Sequence, residues 1–207
     1  MNYEYADRAI RQINRRNLRL FEKIRALAFD ALNIIQTVKS VYSESYNYAR
    51  KKYLGVAWDA FYEAMIEAGK DVDTAKTQAD KHIKPDWILD MLEEYDPVTL
   101  YRFKPEMERK RQRLSEALIA SHNKSTEVDK ALRYWTTQCS HYALKSADQG
   151  TIYGYKSAGI TKVQWIAEND EKTCDECWQR NGVIYDIDDV PVKPHYLCRC
   201  RLRPVKG

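Results

Sequence analysis

Between Asp7 and Val38 apolar side chains return every three or four residues, at Ile10, Ile13, Leu20, Phe21, Ile24, Leu27, Ala31, Ile34, Ile35 and Val38, with no glycine or proline among them. That period marks one face of an α-helix, and the stretch predicts a single long amphipathic helix. Arg8, Arg11, Arg15, Arg16, Arg19 and Lys23 fall on the opposite side. The tyrosine-rich run from Val41 to Tyr53 continues or follows as helix. Val56 to Ala68, with Trp58, Phe61, Tyr62, Met65 and Ile66, reads as another that Gly69 stops. A third helix is expected from Pro85-Asp86 to Tyr95, ended by Pro97. From Pro97 to Pro105 the run Val-Thr-Leu-Tyr-Arg-Phe is β-branched and aromatic, which suits an extended hairpin arm or strand. Helix returns from Glu106 to Ser121.

The clearest helix follows a polar break at Ser121 to Thr126, where Ser125 or Thr126 offers an N-cap. Val128, Leu132, Trp135, Cys139, Tyr142 and Ser146 then alternate steps of four and three. The helix runs to Ser157, loosened by Gly150 and Gly154, with Gly159 as its left-handed cap. Cys139 lies on the buried stripe with no ligand-type neighbour in sequence, so a core role is expected; His82, His122 and His141 are isolated in the same way. The predicted fold is mainly α: an elongated helical region over 1–160, with a short extended arm near 97–105, then a small α+β zinc-binding module over 161–207.

Composition agrees. Seven glycines and six prolines in 207 residues, against 15 tyrosines and 31% charged residues, suit long charged helices better than a β-sandwich. No apolar run approaches the roughly 18 residues of a membrane span. The start carries charges where a signal peptide is apolar, so a soluble chain without an export signal is expected. A net charge of +4 is too small to mark a nucleic-acid binder by itself.

The chemistry concentrates near the C-terminus. Four of the five cysteines lie there, as Cys174-x-x-Cys177 and then His195-x-x-Cys198-x-Cys200. Each i, i+3 knuckle lets two donors from one turn face the same ion, so four of Cys174, Cys177, His195, Cys198 and Cys200 are expected to close a tetrahedron around a structural zinc. The alternation from Cys198 to Arg203 reads as a strand with Cys198, Cys200 and Leu202 on one face. Two same-face residues sit roughly 6.5 Å apart, so one ligand and one packed thiol are expected from this pair. Disulfides fit a chain without an export signal poorly. A redox dithiol is disfavoured by Asp175 and Glu176, which raise thiol pKa values. Asp186, Asp188 and Asp189 read as a solvated turn.

Taken together, Val163-Gln-Trp165, Asp170-Glu-Lys-Thr-Cys174-Asp-Glu-Cys177, Asn181-Gly182-Val-Ile-Tyr185 and Pro194-His195-Tyr-Leu-Cys198-Arg-Cys200 resemble the C-terminal signature of the minor head proteins of tailed bacteriophages, the Mu F-like head-morphogenesis family. The segment from Tyr95 to Leu118 is similar to minor capsid proteins of phages of Gram-positive bacteria. The resemblance covers roughly the second half of the chain. It implies a low-copy virion component, made in the bacterial cytoplasm and placed in the head interior or at the portal vertex. Such a component associates with the portal, and with major capsid or scaffold protein, during head assembly. It assists DNA packaging or ejection and has no enzymatic activity. P-loop, Gly-x-Gly-x-x-Gly, Gly-x-Ser-x-Gly and His-Glu-x-x-His patterns are absent, in keeping with that expectation. The alternative is a zinc-containing nucleic-acid-binding protein; a His-Asn-His nuclease lacks a later histidine to act as base.

Two expectations concern surfaces. The aromatic stripe from Trp58 to Ile66 is expected to need a partner to cover it. Arg109, Arg111, Arg113, Arg199, Arg201 and Arg203, with the arginines of Arg8 to Arg19, are candidate contacts to DNA phosphates, sequence-blind and salt-sensitive.

Overall fold

The computed structural model describes residues 4–27, 30–121, 123–168, 171 and 173–205. Helix α1 spans Glu4–Arg25 and α2 spans Ala31–Glu67. The single helix expected from Asp7 to Val38 is therefore two. Asp30 ends the continuity: its backbone is extended and its carboxylate accepts the N–H groups of Leu32 and Asn33, capping α2. Both helices bury their apolar positions in the same core, so the period survives the break and hides it. Beyond the break α2 is continuous, taking Gly55 in its stride, and stops where Gly69 turns left-handed at φ 92°.

α3, Val72–His82, is a helix that the apolar pattern does not announce. Asp71 caps it through Thr74 N–H at 2.9 Å, and it buries only Ala75 and Ala79. It packs on α2 over the aromatic stripe. The Trp58 indole N–H donates to Asp80 at 2.8 Å, and His82 stacks on Phe61. Phe61 and Met65 are fully buried, and Trp58, Tyr62 and Ile66 pack half-buried against the same core. The stripe expected to await a partner is thus mostly covered from within the chain.

α4, Pro85–Glu93, leads into a two-stranded antiparallel hairpin, β1 Tyr95–Asp96 with β2 Tyr101–Arg102. α5 then runs Phe103–Ala120. The expected arm exists but does not project: Asp96, Thr99 and Phe103 are buried against the helices. α6, Lys124–Ser157, is capped by Asn123 through Thr126 N–H, two residues before Ser125 and three before Thr126, the expected caps. It ends at Gly159, left-handed at φ 86°, as the sequence predicts.

The body is built on three helices. α1 lies antiparallel to α2: Asn17 bonds Ser45 while Arg8 sits near Asp59. α6 lies parallel to α2: Trp135 donates to Ser45, and farther along Gly150 and Gly154 meet Ala57 and Phe61. A buried polar seam fixes this register. Ser45 donates to Asn17, Trp135 donates to Ser45, and Tyr53 OH donates to the Cys139 carbonyl at 3.1 Å. Cys139 is fully buried, and burial pushes its thiol up to about 12. Gly150 and Gly154 do not loosen α6; they let it touch α2. A Cβ on Gly150 would stand 2.4 Å from the Ala57 carbonyl oxygen, and one on Gly154 2.5 Å from that of Phe61.

The C-terminal part is a three-stranded antiparallel sheet in the order β4-β3-β5, with β3 Lys162–Ile166 central, β4 Ile184–Asp186 and β5 Arg201–Pro204. A short helix, α7 Asp175–Arg180, and the turn at Gly182 join β3 to β4. Val163, Trp165, Ile187 and Leu202 share one apolar cluster with Ala64 of α2 and Tyr155 of α6. Tyr155 OH donates to Glu67 at 2.7 Å and lies 3.3 Å from the Leu202 carbonyl. The sheet is therefore cored partly by the helical body.

Candidate metal centre

α7 is too short to be stable alone. Its first turn is held by Cys174, whose sulfur stands in the capping position and accepts the Cys177 N–H at 3.4 Å. That knuckle aims both sulfurs the same way. The second arm comes from the segment before β5. His195 Nδ1 lies 2.9 Å from the Tyr196 carbonyl, so Nδ1–H donates there and Nε2 is left facing Cys177 Sγ at 3.3 Å. Cys177 Sγ lies 3.6 Å from Cys198 Sγ.

These separations are informative. A disulfide requires about 2 Å between sulfurs, and the described cysteines are all free thiols. Zinc with Zn–S near 2.3 Å and Zn–N near 2.0 Å has tetrahedral edges of roughly 3.8 Å between sulfurs and 3.5 Å between sulfur and nitrogen. The observed edges match that figure. The donor atoms of Cys174, Cys177 and His195 lie within 4.8 Å of one another, and so do those of Cys177, Cys198 and Cys200. All five sequence-predicted residues are thus brought together, and Cys177 belongs to both groups.

One expectation is corrected. Cys198 and Cys200 were to share a strand face, too far apart for both to reach one ion. β5 begins only at Arg201, and the chain ahead of it is bent by Leu197, a non-glycine residue at φ 55°. The carbonyls of Cys198 and Cys200 converge on Lys193 Nζ, which also pairs with Asp148 of α6 at 2.9 Å. Both thiols are buried and face Cys177.

The three sulfurs share charge unequally. Burial pushes the Cys177 thiol up to about 12. Cys198 is raised by its hydrogen bond to Cys200 and by burial. The same bond, followed by that from Cys177 and by the Lys193 ammonium, draws Cys200 down. A bound dication would take these sulfurs as thiolates, so the ion would draw their protons off.

Beside the cluster lies a second polar group that the sequence reading passed over. Asp96 is 2% exposed and receives His141 Nε2 at 3.1 Å, Lys145 Nζ at 3.2 Å and the Val98 N–H at 2.9 Å. His141, expected to be a plain core residue, is the buried partner of a carboxylate. Burial by itself would raise the Asp96 carboxyl, but the His141 bond, the Lys145 ammonium and the Val98 N–H hold it well below the usual range. A carboxyl depressed in the folded state stabilises the fold above its unfolded value, near 4, and loses that contribution as pH falls below it. Asp96→Asn is expected to lower stability at pH 7 by about 2 kcal/mol and to flatten the stability loss between pH 5 and 2.5. Denaturant titrations at both pH values measure this; parallel wild-type and variant profiles would refute it.

The candidate phosphate contacts fare unevenly. Arg109 forks onto Glu106 at 2.7 Å and Arg111 onto Glu108, so both are engaged by their own helix. Arg199 and Arg201 also have interactions of their own, while Arg113 and Arg203 are exposed. Arg11, Arg15 and Arg19 line the outer face of α1, exposed and without a carboxylate partner among the described residues. Asp188 pairs with Lys156 at 2.6 Å, in keeping with a solvated turn. His82 is exposed beside Gln78, and His122 lies outside the described residues.

Residues 101–203, from β2 through every donor of the cluster to β5, match the family model of the Phage Mu protein F like protein. Just under half of the chain therefore carries the Mu F-like match. The match points to a phage head-related protein, in agreement with the resemblance carried by its cysteine and histidine spacing. No characterised protein and no solved structure matches the chain. No described helix is long and apolar enough to cross a membrane.

Proposed function

We propose that this Mu F-like protein is a non-enzymatic minor head component that joins the portal during head assembly, resides in the virion and assists packaging or ejection of the DNA. The observation that carries the reading is the family match, which spans β2, α5, α6 and the whole cysteine and histidine cluster. In this reading the cluster is structural: four of Cys174, Cys177, His195, Cys198 and Cys200 hold one zinc, supported by the fit of its 3.3 and 3.6 Å edges to a tetrahedron. When bound, the ion supplies cross-linking of α7 to the segment before β5. The exposed arginines of α1 support a sequence-blind contact with packaged DNA. The test is co-expression with the cognate portal protein. The reading expects the two to co-purify and purified heads to contain the chain; heads that assemble normally without it, and a portal that never retains it, would end it.

A further inference from the structure

Tyr196 stands between two candidate ligands, His195 and Cys198, yet its side chain points away from them into the helical body. Its hydroxyl lies 2.9 Å from Tyr101 OH on β2 and accepts Gln138 Nε2 of α6 at 3.2 Å, while Tyr101 OH donates to Gln138 Oε1. The three groups close a ring in which each donor has one acceptor: Tyr196 to Tyr101, Tyr101 to Gln138, Gln138 to Tyr196. The ring is anchored outward. Tyr134 OH sits 3.2 Å from Tyr101 OH and donates at 2.8 Å to Glu106, which is itself buried and held by Arg109. On its other side the Tyr196 ring packs on the His141 ring at 4.7 Å, and His141 holds Asp96 of the hairpin.

The next residue makes the arrangement costly to hold. Leu197 sits at φ 55°, a left-handed conformation that a branched residue adopts only when its surroundings impose it. Two constraints impose it here: the ligand residues on either side, which must reach the Cys177 sulfur, and the Tyr196 hydroxyl, which must reach Tyr101 and Gln138. Releasing either one lets the turn relax and misplaces the other.

We infer that Tyr196 is a positioning residue that couples filling of the cysteine and histidine cluster to the seating of the hairpin and α6 on the C-terminal segment. The inference rests on the zinc reading above. Coupling is reciprocal by thermodynamic necessity. Metal binding therefore protects the hairpin, and the hairpin's tyrosine strengthens metal binding although it offers the ion no donor.

The experiment uses the full chain. Zinc affinity is measured by competition with a chromophoric chelator for wild type, Tyr196→Phe and Tyr101→Phe. Hydrogen exchange over residues 95–102 is followed with and without zinc. Both variants are expected to bind zinc at unchanged stoichiometry but roughly fivefold or more weakly, and zinc removal is expected to raise exchange in the wild-type hairpin. Tyr153→Phe, at a half-exposed site on α6, should leave affinity unchanged. Zinc bound equally by all four proteins, with hairpin exchange indifferent to the metal, would overturn the coupling and leave the zinc reading intact. A wild-type chain that takes up no zinc would overturn both. Should Tyr101→Phe fail to fold, Tyr196→Phe decides alone, since it keeps the ring contact with His141 and removes only the hydroxyl.

Discussion

Cys177→Ser is expected to abolish zinc retention and to unfold the C-terminal segment from β3 onward, whereas Cys174→Ser and Cys200→Ser each leave a bound, weaker site. The asymmetry follows from geometry. Five donors compete for four corners, and only Cys177 belongs to both close groups. Loss of any other donor leaves Cys177 with three further candidates around its sulfur, while loss of Cys177 leaves two pairs without the sulfur that joins them. Binding free energies at structural zinc sites run to roughly 10 kcal/mol or more and appear as folding energy, so a small sheet cored by few residues cannot do without them. Metal analysis after chelator-free purification gives the stoichiometry, and hydrogen exchange over 162–205 reads the fold. The helical signal should fall little. A Cys177→Ser protein that keeps one equivalent of zinc would contradict the shared-corner geometry.

Gly150→Ala is expected to be nearly as damaging, and for a reason remote from the metal. Its added methyl would stand 2.4 Å from the Ala57 carbonyl oxygen and 3.0 Å from the Ala57 Cα, both backbone atoms of α2. No rotamer change relieves a clash with backbone, so α2 and α6 must separate and empty the seam that Tyr53, Trp135 and Cys139 fill. A cost of about 3 kcal/mol follows, or roughly 6–12 °C in Tm for a chain of this size. Gly55→Ala supplies the opposite sign from the same change. It sits within α2 with nothing within 4 Å of its would-be Cβ, and removing a mid-helix glycine there should stabilise by about 0.5–1 kcal/mol. Thermal unfolding of the two variants beside wild type decides it; equal shifts would mean that α6 does not rest on these glycines.

How much of this could be read in the sequence depends on what each feature needed. The buried stripe of α6 was legible because Val128, Trp135, Cys139 and Tyr142 are large or apolar and strictly spaced, and their burial follows. Four of the five candidate metal donors were legible because two knuckles repeat the same spacing, and Cys200 because it follows the second knuckle closely. α3 was not, because a helix that contributes only alanines to the core leaves no apolar period. The break before α2 was masked by a period that both helices share, although Asp30 carried the capping signal. Gly150 and Gly154 were visible but misread: a glycine inside a helix signals weakness when nothing faces it and close approach when a backbone does, and only the partner helix distinguishes the two. Tyr196 lay inside the recognised motif. Its role depends on Tyr101 and Gln138, which are 95 and 58 positions away and have no spacing rule to reveal them.

The parallel lie of α2 and α6 has a consequence for how the chain is made. Their seam joins Tyr53 to Cys139 and Ser45 to Trp135, pairs 86 and 90 positions apart. Closing so long a loop is entropically slow, and it cannot begin until α6 has left the ribosome. Until then the α1 and α2 pair holds out the apolar side that α6 will cover, and α3, which arrives earlier, shields only the Trp58 end. Nascent chains on crowded polysomes therefore expose the same sticky stripe to one another. Synthesis rate and chaperones, more than the final stability of the fold, then set how much folded protein accumulates.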